Sequence, residues 1–277
     1  MRVSSGVISL LQQPEHSMAC ALRSIVSDQS HPMKSIPKII HYCWFGKQSK
    51  PNYVEDNIAG WKLIMPDYEV MEWNESNFNI NINQYVTQAY KAKLFAFVSD
   101  YARLYAMYHY GGIYLDTDVE VLRPFDDLLG NQIVFGFEVN QFVATSTLLA
   151  RKNSVLIKDF MNSYDRRNFT NNDSTFDLTT NVKILTDILI STGLVQKNYR
   201  QSLDYKDKEQ VLILEQKFLS PFDYNTKDFY TDSSTYTVHH FRSSWSSASF
   251  RLKMKLKKTV LYLIGYGSLR KVMNLLK

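Results

Sequence analysis

Cysteine is nearly absent from this sequence. Its two cysteines in 277 residues, Cys20 and Cys43, exclude a disulfide scaffold, and their spacing suits neither a zinc ribbon nor a redox CxxC pair. A reducing compartment is consistent with so few thiols. Glycine is scarce too, ten in all, and no Gly-rich phosphate fingerprint follows any expected strand, so neither a dinucleotide-binding motif nor a P-loop is supported. No apolar run reaches the roughly 18–20 residues of a membrane span. The apolar stretch at 7–11 is too short for the core of a signal peptide and runs into Gln and Pro. The expectation is a chain that is not secreted, lies in the cytoplasm and has no helical anchor of its own. Acid is missing from one end. After Asp232 there is no Asp or Glu, while Arg242, Arg251, Lys253, Lys255, Lys257, Lys258, Arg270, Lys271 and Lys277 are basic. The net charge of +5 is therefore the property of a tail. Aliphatic residues between those charges favour an anionic membrane surface over a plain solvated helix, and nucleic acid is set aside. The tail is expected to hold the protein at the inner face of a plasma membrane.

What is present is a run of alternating elements. Residues 36–46 read as a buried first strand closing at Gly46, and 69–73 alternate as a second strand. A helix is expected over 51–63, with Ile58, Trp61 and Leu63 near one face. The pattern over 84–110 is helical, with a start at Ser99-Asp100 and a stop at Gly111-Gly112. Further strands are expected at 113–115, 119–122, 133–138, 211–214 and 235–240, and further helices at 154–162 and 182–191. Strands alternating with helices argue for an α/β fold around a mixed, mostly parallel sheet. No internal repeat or low-complexity linker interrupts it. Three parts are expected: an N-terminal segment over 1–35, an α/β domain over 36–250 and a basic amphipathic tail over 251–277.

Asp116-Thr117-Asp118 is the most chemical feature. Two carboxylates two residues apart follow the apolar strand 113–115. In a straight strand positions i and i+2 share a side, so both can approach one hard cation such as Mg²⁺ or Mn²⁺. Such an ion can clamp a diphosphate and neutralise the charge that grows as it leaves. A DxD triplet alone is a weak signal, and a solvated turn is the plain alternative. Its place after a buried-looking strand is what raises it.

Four segments occur in a telling order: 36–46 (IPKIIHYCWFG), 99–103 (SDYAR), 110–118 (YGGIYLDTD) and 239–245 (HHFRSSW). Together they resemble the DxD sugar transferases that include bacterial capsular-polysaccharide enzymes and the yeast initiating mannosyltransferase, and more distantly the clostridial glucosylating toxins. The resemblance implies a GT-A fold and a retaining transfer from a nucleotide-sugar, with Mn²⁺ or Mg²⁺. It implies that Trp44 stacks on the base and that Asp100 and Arg103 grip the sugar. Tyr114 then lies near ribose or sugar, Asp116 contacts ribose, sugar and metal, and Asp118 ligates the metal. Ser243 and Trp245 close over the diphosphate, and Asn181 touches sugar or acceptor.

His239 and His240 end a strand, so their side chains face opposite ways. The spacing to Ser243 and Trp245 favours His240 as the further metal or diphosphate ligand, although the toxins have Glu there.

These readings combine into a metal-dependent retaining hexosyltransferase. Its expected donor is UDP-glucose, UDP-galactose or an N-acetyl form, and its expected acceptor a glycan or lipid-linked oligosaccharide of capsule or O-antigen synthesis. A nucleotide-sugar hydrolase and a non-catalytic carbohydrate- or membrane-binding module are the alternatives.

Overall fold

The computed structural model describes residues 35–242 except 224, 225 and 227. The segment 1–34, Ser243, Trp245 and the basic tail fall outside the described residues. In chain order the elements are β1 (Ile39–Cys43), α1 (Asn52–Ile64), β2 (Glu69–Trp73), α2 (Gln84–Lys91), α3 (Phe95–Tyr110), β3 (Gly112–Leu115), β4 (Val119–Val121), β5 (Ile133–Gly136), β6 (Thr147–Ala150), α4 (Val155–Asp165), α5 (Asn181–Ile190), β7 (Gln201–Tyr205), β8 (Glu209–Leu214), α6 (Gln216–Leu219) and β9 (Thr237–His239). Seven strands form one mixed sheet in the order β2-β1-β3-β6-β5-β8-β7. Five of them run one way, and β6 and β7 run against them. β4 and β9 pair antiparallel in a ribbon of their own. The expected α/β architecture, a mixed and mostly parallel sheet with flanking helices, is what the chain forms.

The central strands are apolar on both sides because helices cover both faces. Along β1, β3, β5, β6 and β8 the side chains alternate between two cores. Tyr114, Phe135, Leu148 and Ile213 enter one, with α2, α3, α4 and α5. Ile40, Ile113, Val134 and Leu149 enter the other, with α1. On α1, Val54, Ile58 and Trp61 are the buried residues. Trp61 also donates its indole N–H to the Val119 carbonyl at 2.9 Å, which ties the helix to β4. Leu63 does not share that face: it is 81% exposed.

Other local readings change as well. The long helical stretch breaks in two at Ala92–Leu94, where Lys93 takes φ 59°. α3 then starts at Phe95, not at Ser99-Asp100. The Ser99 hydroxyl bonds back to the Phe95 carbonyl at 3.1 Å, and the Asp100 carboxylate is engaged by Arg103 and Asn181, so neither caps a helix start. Strands β6 and β7 carry no expectation from the sequence. β6 inserts between β3 and β5, antiparallel to both.

Gly111 and Gly112 turn α3 into β3 at φ 68° and 115°, and a Cβ on Gly112 would run into the Ile39 carbonyl. His41 latches this turn. Its Nε2–H donates to the Gly111 carbonyl at 2.8 Å while its Nδ1 accepts the Trp73 indole N–H at 3.1 Å, an arrangement that requires the neutral ring. Burial holds its pKa down at about 4, against the Gly111 bond that favours the charged ring. The folded pKa is below the unfolded value of 6.5. His41 thus contributes stability that is fully present above pH 6.5 and is lost as pH falls toward 4. The integrated loss is about 3 kcal/mol. Urea unfolding between pH 7 and pH 4.5 should show it, and His41→Gln should flatten that slope. An unchanged slope in the variant would remove His41 as its source.

Candidate active site

The site lies at the carboxyl ends of β1 and β3, parallel neighbours in the sheet, where open α/β sheets bind ligands. β3 delivers Asp116 into a tight turn, not a longer strand: the Val119 amide bonds the Asp116 carbonyl at 3.0 Å, and β4 then leaves for the other sheet. The two carboxylates converge through this turn and not through strand alternation. The Asp116 amide is held by the Ser146 carbonyl at 2.8 Å, and its carboxylate accepts the Tyr114 hydroxyl at 3.0 Å.

Behind Asp116 stands Arg103, buried on α3. Its Nη1 donates to the Thr145 carbonyl at 2.8 Å, while Nη2 lies 3.0 Å from Asp100 and 3.2 Å from Asp116. The guanidinium sits 4.6 Å from the centre of the Tyr114 ring. Burial alone would lower its pKa, but Asp116, Tyr114 and Asp100 outweigh that and raise it. Asn181 opens α5 and donates to Asp100 Oδ1 at 2.7 Å, its own oxygen fixed by the Val182 amide at 2.7 Å. Asp100 Oδ1 thus takes both protein donors, and Oδ2 takes none from a described residue. Burial lifts the Asp100 pKa to about 6 against the pull of Arg103. Burial likewise raises that of Asp116, again against Arg103.

The histidine expectation is corrected. His240 Nε2 lies 2.9 Å from Glu120, away from the pair. His239 is the one that faces it, with Nε2 at 3.3 Å from Asp118 Oδ1. The pairing of β9 with β4, which sets His239 opposite Val119, explains the exchange. Asp118 Oδ2 accepts the Arg242 amide at 2.8 Å, and the His240 amide bonds the Asp118 carbonyl at 3.0 Å. Burial works against the Asp118 carboxylate, yet the His239 and Arg242 bonds hold its pKa below the usual value. Burial also works against charge on His239, but Asp118, Asp116 and Glu138 raise its pKa.

Asp116, Asp118 and His239 can each offer one ligand atom, and these atoms lie within 4.8 Å of one another. Two carboxylate oxygens and an imidazole nitrogen fit a divalent ion such as Mn²⁺. Such an ion would take the place of the proton that this cluster otherwise favours on His239.

Trp44 follows β1, half-buried. Its amide bonds the Trp73 carbonyl at 2.9 Å and its indole donates to the Gln48 carbonyl at 2.7 Å. The loop behind it is pinned by Glu75, which accepts the Gly46 amide at 2.8 Å, and by the Lys50–Glu72 pair at 2.7 Å. Sequence reasoning passed over these two glutamates, and over Glu138. The latter follows β5, and burial beside Asp116 pushes its pKa to about 7. The available signal was an acid ending the apolar run 133–137.

Residues 51–135 match the family model described as "Glycosyltransferase sugar-binding region containing DXD motif". This stretch is such a sugar-binding region. It takes in Asp100, Arg103, Tyr114, Asp116 and Asp118, whereas Trp44, Asn181 and the paired histidines lie outside it. The chain is similar to inositol phosphoceramide mannosyltransferase 1 of Schizosaccharomyces pombe, at 28% identity over 39% of this chain and 37% of that protein. It is also similar to mannosyltransferase 3 of the same yeast, at 33% over 38% of this chain and 30% of that one. It thus spans well under half the length of these relatives. Among solved structures, a glycosyltransferase involved in glycosylation of the major capsid of PBCV-1 aligns at 11% identity, over 79% of this chain and 100% of that one, with a TM-score of 0.45. The galactosyltransferase LgtC aligns at 13%, over 78% and 94%, with a TM-score of 0.41. Neither is close enough for its substrate to bear on this chain.

Proposed function

We propose that this sugar-binding region serves a metal-dependent glycosyltransferase that moves a hexose from a UDP-sugar to a glycan acceptor of surface-polysaccharide synthesis. The observation that carries the reading is the joining of two clusters at Asp116: the cation-ready Asp116, Asp118 and His239 on one side, and the Arg103, Asp100 and Asn181 network on the other. UDP as nucleotide, retention of configuration and a surface glycan as acceptor rest on the family resemblance alone.

When bound, Mn²⁺ or Mg²⁺ supplies positive charge against the departing diphosphate. The chain does the rest. Trp44 offers a ring to the base. Arg103 and Asn181 hold Asp100 by one oxygen, which leaves Oδ2 to accept a sugar hydroxyl. Tyr114 fixes the rotamer of Asp116. A pair so braced contributes chiefly by positioning and charge stabilisation.

Calorimetric titration of UDP tests the reading. Binding should require Mn²⁺, and Trp44→Ala should weaken it by about 1–3 kcal/mol, the usual scale of a lost base stack. Metal-independent binding would remove the cation site, and an unchanged Trp44→Ala affinity would return that ring to packing.

A further inference from the structure

Arg242 differs from Arg103, Arg123 and Arg167. Arg103 is buried between two carboxylates, and Arg123 and Arg167 each pair with an aspartate. Arg242 is exposed and pairs with no carboxylate among the described residues. Yet its place is defined from two sides. Its amide donates to Asp118 Oδ2 at 2.8 Å, which puts its backbone against the carboxylate pair. Its guanidinium lies 4.5 Å from the centre of the Tyr53 ring, in the first turn of α1. That helix is itself fastened to the segment that follows Asp116, Asn57 donating to the Thr117 carbonyl at 2.9 Å and Trp61 to that of Val119 at 2.9 Å.

The aromatic face supports the cation without neutralising it. A planar, permanently charged donor fork is therefore braced by Tyr53 beside a carboxylate pair. The ligand chemistry that suits it is a phosphate oxygen, which accepts charge-assisted, bidentate hydrogen bonds from guanidinium.

We infer that Arg242, supported by the Tyr53 ring, is a binding residue for the diphosphate of the donor. The inference rests on the nucleotide-sugar reading of the site and assigns one further contact within it. The guanidinium adds positive charge where negative charge collects as the diphosphate leaves.

Titrations of the full chain with Mn²⁺ alone, with Mn²⁺ and inorganic pyrophosphate, and with Mn²⁺ and UDP test it. Arg242→Gln should leave Mn²⁺ affinity unchanged and weaken pyrophosphate and UDP about tenfold, with a shallower dependence on salt. Arg242→Lys should fall between, because an ammonium keeps the charge and loses the fork. Tyr53→Leu should weaken both diphosphates less than Arg242→Gln does. Unchanged pyrophosphate affinity in a folded Arg242→Gln protein overturns the inference and leaves the site reading intact. Loss of Mn²⁺ affinity in that variant also overturns it, since Arg242 then only shapes Asp118. If the unaltered protein binds neither diphosphate with Mn²⁺, both the inference and the site reading fall.

Discussion

Asp118→Asn should leave a folded protein whose transfer from UDP-hexose is reduced at least about 100-fold, a loss of some 3 kcal/mol of transition-state stabilisation. The substitution is nearly isosteric. The amide oxygen can still accept the Arg242 N–H that meets Oδ2 at 2.8 Å, so the β9 exit keeps its anchor. What disappears is the negative charge facing His239 at 3.3 Å and grouped with Asp116. A neutral amide is a poor ligand for a divalent ion, and it no longer favours the arrangement on which charge neutralisation depends. Sugar transfer measured at saturating donor, with the melting temperature as a check on folding, decides it. Near-normal turnover would take the metal role away from this residue.

Loss of Arg103 should be costly in two ways. The side chain is buried, and it separates Asp100 from Asp116 while donating to the Thr145 carbonyl. Arg103→Ala leaves two desolvated carboxylates with no cation between them, a situation that typically costs about 3–5 kcal/mol of stability. Part of that cost is relieved by proton uptake, because burial already lifts Asp100 to about 6. Arg103→Lys is the informative companion. It keeps the charge but cannot span Asp100, Asp116 and Thr145 together. The lysine variant should stay folded and bind UDP with Mn²⁺ nearly as well as the unaltered chain, while transfer falls steeply, because the proposed function assigns Asp100 to the hexose and not to the nucleotide. A loss of UDP affinity equal to the loss of transfer would mean that Arg103 only holds structure.

Much of this was legible locally. Apolar runs bounded by turn residues marked β1, β3, β5 and β8, alternation marked β2, and Pro51 and Ser154 marked helix starts close to where α1 and α4 begin. The i, i+3 spacing of Asp100 and Arg103 is a real pair at 3.0 Å, and the DxD pair does converge. Where local reasoning failed, the missing partner was remote. Ser99-Asp100 resembles a helix start because both residue types cap helices. In the structure Arg103 and Asn181, the latter 81 residues away, take up that carboxylate. Strand β7 alternates openly, with buried Gln201, Leu203 and Tyr205, but its polar letters hide an edge strand.

The sequence by itself determined the alternation of elements, the two-sided apolar strands and the carboxylates that follow β3, because these depend on residue periodicity and on contacts within a few positions. It could not decide between His239 and His240. Both are imidazoles at the end of one strand, and which of them faces Asp118 depends on the pairing of β9 with β4, 118 with 240 by backbone and 118 with 239 by side chain. Nor could it show that Arg103 reaches both Asp116 and the Thr145 carbonyl, because the approach to Thr145 follows from β6 lying antiparallel beside β3. Tertiary structure decided these points because charge and hydrogen-bond partners interact through space, where chain separation sets no limit on distance.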